Sequence, residues 1–226
     1  MCFTVNVNLI KEELENRYGA TLIDPDKYRP SYYYHAFGLP SLPAICSEDP
    51  SKIRLLKWGL IPSWTRGIDQ ASIIRYKTFN ARAESIDTKP SFSSAFSSKR
   101  CIIPVKGFFE WQHVGNEKIP WYIYNAENDT GEVFSTFSII TTDANDLMAG
   151  IHNSGKRMPV ILNNSSETRW LDLSVAKEDA LGFLSPCPSD NLKAHTISPL
   201  INSRISDRNT PELIQPYNYS TGNLLF

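Results

Sequence analysis

The chain opens MCFTVN, with Cys2 directly after the initiator Met1. A small second residue permits removal of that methionine. The chain would then begin with a residue carrying a free α-amine and a thiol together. An α-amine with a pKa of about 7.7–8.0 is roughly a tenth neutral at pH 7, whereas a lysine amine at about 10.4 is almost wholly protonated. Such an amine can add to an aldehyde and lose water. The thiol of the same residue can then close a five-membered ring on that carbon. The alternative reading is a small residue that starts the first strand. Neither a basic n-region nor an apolar h-region precedes Cys2, so the opening is not read as a secretory signal.

Four further stretches carry chemistry. WGLIPSW puts Trp58 and Trp64 around a proline turn, either as core aromatics or as an exposed platform for stacking bases. NARAES packs Asn80, Arg82 and Glu84 together without a large apolar residue. Asn80 can donate and accept, and the planar fork of Arg82 suits a phosphate; a surface loop is the alternative. CIIPVKGFFEW sets Glu110 between Phe109 and Trp111. A carboxylate in an aromatic pocket has its charged form disfavoured, which raises its pKa toward the range of a general acid. On the other reading Glu110 lies on the solvent face of a strand. IHNSGKRMPVIL carries His152 on a glycine-containing loop ahead of Arg157 and Met158; a lone loop histidine can also be incidental.

The elements that must position these residues read as α+β with mostly antiparallel sheet, because the strands cluster in the middle rather than alternating with long helices. NLIKEELENRYG reads as a helix with Asn8 as N-cap, Leu9, Ile10 and Leu14 on one side, and Gly19 as stop. A Pro- and Tyr-rich stretch from Pro25 to Pro43 reads as loop and short strands. KIRLLKW, RCIIPVKGFFEW, PWYIYN, EVFSTFSII, RMPVIL and KAHTIS read as strands, and SSETRWLD and AKEDALGFLS as two late helices. The 226 residues suit one domain, with the polar tail 210–226 loosely held. No apolar run approaches the ~18 residues of a membrane helix. The four cysteines form no C-x-x-C and no zinc-finger spacing, so a reduced cytoplasmic protein without metal or cofactor is expected. From Ser51 to Lys106 eleven Lys/Arg face three Asp/Glu, while the whole chain carries a net −1. That asymmetry suggests one positive face, unless the charges intermix on folding.

Taken in order, the Met-Cys start, WGLIPSW, NARAES, CIIPVKGFFEW and RMPVIL resemble the SOS-response-associated peptidase (SRAP) family, from Cys2 to about Asn202. The resemblance implies a barrel-like α+β fold with a few peripheral helices. It implies a protein that reacts through the cysteine after Met1 with abasic sites in single-stranded DNA, leaving a thiazolidine crosslink that shields the lesion. Cys2 would be the nucleophile, Asn80 a positioning residue, and Glu110 and His152 proton-transfer residues. Trp58, Trp64, Arg82 and Arg157 would bind DNA. A monomer is expected, cytoplasmic and nucleoid-associated when bound. Two departures stand out. Phe3 and Thr4 replace the family's Gly-Arg, removing a phosphate contact, and His152 sits five residues before Arg157 rather than two. Peptidase activity by an N-terminal nucleophile, limited to Met1 removal or broader, is an alternative, as is a non-covalent reader of modified DNA. A lyase outcome is a further possibility, since an amine acting alone would stop at a Schiff base.

Overall fold

The computed structural model describes residues 2–125, 138–204 and 207–219. Among these residues twelve strands fall into three sheets. In chain order they are β1 (Thr4–Val7), β2 (Thr21–Leu22), β3 (Ser31–His35), β4 (Ser41–Cys46), β5 (Asp49–Lys57), β6 (Asn80–Arg82), β7 (Cys101–Ile102), β8 (Gly107–Val114), β9 (Glu117–Asn125), β10 (Ile139–Asp143), β11 (Arg157–Pro159) and β12 (Leu192–Thr196). The helices are α1 (Lys11–Tyr18), α2 (Gly67–Arg75), α3 (Ser93–Ser98), α4 (Asp146–Ile151), α5 (Asn164–Leu171) and α6 (Lys177–Gly182).

The antiparallel sheet β12-β9-β8-β1-β3 is the largest. A four-stranded sheet, β2-β5-β4-β7, and a three-stranded one, β11-β10-β6, complete the frame. Among the described residues only β2 with β5 and β6 with β10 pair in parallel. The α+β class expected from sequence is therefore present. A closed barrel is not found among the described residues: the strands remain in three sheets.

Local chemistry explains where the elements differ from the sequence reading. RCIIPVKGFFEW divides into β7 and β8, because Pro104 brings no amide to a ladder. α1 begins after Ile10 rather than at Asn8: the Ile10 N–H donates to Glu13 Oε2 at 2.6 Å, while the Asn8 N–H turns back to Asn6 Oδ1 at 2.9 Å. Ile10 is consequently exposed, whereas Leu9 and Leu14 are buried. Gly19 ends the helix in the left-handed region, as expected (φ 59°). Only residues 139 and 140 of the expected strand EVFSTFSII lie in β10, and 132–137 fall outside the described residues. Of the tail, residues 210–219 are held rather than loose. Leu213 is fully buried, Ile197 bridges Pro216, and the Tyr219 hydroxyl donates to the Ile197 carbonyl at 2.8 Å. Residues 220–226 lie outside the described residues.

Trp58 is core. It is fully buried, and its indole N–H donates to the Phe79 carbonyl at 3.1 Å. The expectation of an exposed stacking face is thereby corrected for Trp58. Gly59 follows with φ +104°, and a Cβ there would sit 2.9 Å from the Arg75 carbonyl oxygen, so the turn requires glycine twice over. The indole thus pins the backbone one residue ahead of Asn80. Trp58→Ala should cost about 3–5 kcal/mol, the range for emptying a buried aromatic site, and leave the Phe79 carbonyl without this donor. Denaturant titration should show this loss, with Trp64→Ala as an exposed control changing stability by less than about 1 kcal/mol.

Candidate active site

Strand β1 brings the start of the chain onto β8. Val5 pairs with Phe108 and Asn6 with Gly107. Continued in the same register, Phe3 stands opposite Glu110, and the two line one open cleft of about 430 Å3. Cys2 is fully buried beside them. Burial pushes its thiol far above the ordinary range, and the Glu110 carboxylate pushes it further; the positive amino terminus opposes both. Glu110 is 5% exposed. Burial raises its carboxyl to about 7, against the opposing charge of the amino terminus. The structure therefore selects the pocket reading of Glu110 over the solvent-face reading.

His152 caps the C-terminal end of α4 and lines the same cleft. The loop after it closes back on itself, with the Lys156 N–H on the His152 carbonyl at 2.8 Å. Asn153 docks that loop on β8 like a short strand. Its Nδ2 donates to the His113 carbonyl at 2.8 Å, and its Oδ1 accepts the His113 N–H at 3.0 Å. Gly155 then passes against the imidazole, where a Cβ would meet Cε1 at 2.8 Å. This is the bulge that the unusual spacing between His152 and Arg157 demands. His152 Nδ1 lies 2.9 Å from the Arg157 carbonyl oxygen, and in the tautomer that donates there Nε2 carries the lone pair. Desolvation chiefly, then the positive amino terminus, lowers its pKa; the Arg157 carbonyl opposes and His113 adds to the lowering.

Asn80 and Arg82 share one face of β6, and buried Ala81 takes the other. Both polar atoms of the Asn80 amide are buried without a hydrogen-bond partner among the described residues. Such a group normally costs about 1–3 kcal/mol, so it suits a site that a ligand completes. Arg82 is exposed. Arg157 differs from the DNA contact expected of it. Its guanidinium is taken by Glu84 Oε1 at 2.5 Å, Asp143 Oδ1 at 2.8 Å and the Thr141 carbonyl at 2.6 Å. It thus ties together the chain after β6 and the facing ends of β10 and β11.

Trp64 is 45% exposed, with its indole N–H fixed on the Pro90 carbonyl at 2.9 Å. A second aromatic group escaped sequence reading. The Phe3 ring lies 5.5 Å from Phe37 and 6.2 Å from Phe79, and Phe37 lies 6.5 Å from Tyr76. Phe37 and Tyr76 are half-exposed, forming a shelf next to the residue that follows Cys2. The aromatic-rich stretch before Pro43 was the available signal, but its partners lie far away in sequence. Among the described residues no group of three His, Cys, Asp or Glu could hold a metal ion, and no helix is long and apolar enough to cross a membrane.

The buried carboxyl makes a stability prediction. The fold favours its neutral form, so the native state holds the proton between its ordinary 4.5 and about 7, and stability falls as pH rises through that window. Glu110→Gln should therefore gain on wild type with pH, by on the order of 1–3 kcal/mol between about pH 4 and about pH 8. Denaturant melts across that range measure it; a difference independent of pH would rule out the buried neutral carboxyl.

Residues 1–204 match the family model described as SOS response associated peptidase (SRAP). A Bacillus subtilis (strain 168) protein named abasic site processing protein YoqW is 38% identical over 207 residues, covering 84% of this chain and 88% of that relative. The Xenopus tropicalis abasic site processing protein HMCES is 33% identical over 231 residues, covering 84% of this chain and 67% of its own. A crystal structure of a Bacteroides thetaiotaomicron protein superposes with a TM-score of 0.88 at 34% identity, over 96% of this chain and 100% of that one. Sequence motifs, fold and family model agree, and the chain belongs to the SRAP family.

Proposed function

We propose that this protein processes abasic sites in single-stranded DNA by forming a covalent thiazolidine through Cys2 once Met1 is removed. The observation that carries the reading is the burial of the Cys2 thiol against a Glu110 carboxyl whose pKa stands near 7. Relatives named abasic site processing proteins support the substrate class.

An abasic deoxyribose equilibrates between a closed hemiacetal and an open aldehyde. The neutral Cys2 α-amine adds to the aldehyde carbon, and the carbonyl oxygen takes a proton. Glu110 in its acid form protonates the resulting hydroxyl, water leaves, and an iminium remains. The thiol sulfur then bonds to the same carbon, and its proton passes to the Glu110 carboxylate. The balance is aldehyde plus aminothiol giving thiazolidine plus one water. Because burial keeps the thiol protonated, the amine acts first and the carboxylate must receive the thiol proton. A pKa near 7 lets one group do both tasks. His152 is the second proton carrier, its Nε2 acting on the hemiacetal oxygen during ring opening. The Asn80 amide completes its hydrogen bonds on the sugar. Arg82 holds phosphate, and flanking bases stack on Trp64 and on the shelf of Phe37 and Tyr76.

Mature protein mixed with an abasic oligonucleotide should give a shifted band that survives denaturation. Cys2→Ser should abolish it with the fold intact, and so should a residue retained before Cys2. A stable crosslink formed by protein that mass spectrometry shows to keep Met1 would defeat the amine-first chemistry. Glu110→Gln should keep DNA affinity and slow crosslinking by about 10²–10⁴-fold, the usual contribution of general acid–base catalysis. It should also lose the pH dependence centred near Glu110's raised pKa.

Binding is tested separately on undamaged single-stranded DNA. Affinity should fall with rising salt as phosphates release counterions, and Arg82→Ala should flatten that slope. Phe37→Ala and Trp64→Ala should each cost about 1–3 kcal/mol where a base stacks on the ring. Arg157→Ala should act mainly on stability. Affinity independent of salt would reject phosphate contacts as the basis of binding.

A further inference from the structure

Two cysteines far from the proposed chemistry face each other across the four-stranded sheet. β4 and β7 run antiparallel with Ile45 opposite Ile102 and Cys46 opposite Cys101. The Ser47 N–H donates to the Arg100 carbonyl at 2.8 Å. Bonded and non-bonded pairs alternate along an antiparallel ladder, so residues 47 and 100 form a bonded pair and Cys46 and Cys101 the adjacent non-bonded one. Non-bonded pairs bring Cα atoms to about 4.5 Å with their side chains closest, inside the about 4.4–6.8 Å that disulfides span. Pairing of β4 with β5 also shifts register between Ile45 and Cys46, which loosens the ladder where Cys46 would have to turn.

The two thiols already interact. A hydrogen bond from the Cys101 side chain holds the Cys46 thiol below its ordinary range; burial and Glu48 act against this, and Arg54 with it. Cys46 retains 7% exposure while Cys101 has none, so a small oxidant meets Cys46 first. Thiolate character together with access is what selects a cysteine for oxidation.

We propose that Cys46 and Cys101 form a dithiol modification site that a peroxide converts into a cross-strand disulfide. The Cys46 thiolate attacks one peroxide oxygen, the O–O bond breaks, and with one proton this yields a sulfenic acid and water. The Cys101 sulfur then attacks the Cys46 sulfur, the S–O bond breaks, and the departing hydroxide takes the Cys101 proton as a second water. Two thiols and hydrogen peroxide thus give one disulfide and two waters; sulfur is oxidised and peroxide oxygen reduced. The bond closes the stretch of chain that carries Trp64, Asn80 and Arg82. Cross-linking restricts the unfolded chain, so the oxidised protein should melt at a higher temperature. The inference does not depend on the DNA chemistry.

The test treats folded protein with hydrogen peroxide, then alkylates it under denaturing, non-reducing conditions and maps the peptides. The expected result is a linked peptide pair containing Cys46 and Cys101, with Cys187 alkylated, the link reversed by a thiol reductant, and a raised melting temperature. Cys46→Ser and Cys101→Ser should each abolish the link; if either misfolds, the wild-type map alone decides. Full alkylation of Cys46 and Cys101 after oxidation of other cysteines would overturn the proposal. So would a link from either to Cys187, or irreversible oxoacids without a link.

Discussion

A carboxyl kept out of water is the constraint on which the site depends. Glu110 sits on a central strand, paired with Trp121 on one side and facing the start of the chain on the other. Holding an ionisable group there costs stability unless the surroundings are rigid and their own polar groups satisfied. The neighbouring Gln112 shows how that is met. Its side-chain oxygen accepts the Trp121 indole N–H at 3.2 Å, and its amide donates to the Gly150 carbonyl at 3.4 Å. One buried amide therefore connects β8, β9 and α4. Since α4 ends at His152, the strand that carries the carboxyl also locates the imidazole. Asn153 repeats the connection one residue later. Both titratable groups are thus located by supports that strand β8 shares with α4 and its following loop.

A second anchor works from the other side of the cleft. Arg157 joins Glu84, Asp143 and the Thr141 carbonyl at the edge of the three-stranded sheet. Its side chain is 12% exposed, whereas Asp143 is largely exposed and Glu84 half-exposed. Removing the arginine would leave carboxylates that water can reach; removing both acids would leave a cation largely cut off from water. The cluster ties the chain just after β6 to β10 and β11, next to the face on which Asn80 and Arg82 lie. It also neutralises a cation that sequence alone counts as available, which leaves Arg82 as the exposed basic group of NARAES.

Strand identity and the α+β class were legible because apolar, β-branched runs separated by Pro, Gly and Asn have few other uses. The pocket around Glu110 was legible for the same reason: large aromatics on both sides of an acid in a strand. What sequence could not give is which partner each side chain finds across the sheets. Trp58 and Trp64 occupy equivalent places in the WGLIPSW motif, yet one donates to Phe79 inside the core and the other opens a face to solvent. The difference comes from a carbonyl twenty-one residues away. Arg157 likewise meets Glu84 seventy-three residues earlier. Asn8 failed as a cap because Glu13 reaches back to Ile10 first. The shelf of Phe3, Phe37 and Tyr76 joins three separate stretches and has no local signature.

Replacement of the family's Gly-Arg by Phe3 and Thr4 then acquires a physical meaning. A glycine after the cysteine would leave the approach to Cys2 open; Phe3 instead packs on Phe37 and Phe79 at the cleft. Thr4 is fully buried, a position where an arginine would need a partner for its charge. The exchange therefore trades a cation beside Cys2 for apolar area. In the proposed chemistry, a phosphate held near Cys2 would stabilise the protonated amine and slow its attack, whereas an aromatic neighbour would desolvate the amine and favour its neutral form. On the proposed chemistry, charge for holding DNA moves outward to Arg82, and the reacting amine is left in a drier setting against a single carboxyl.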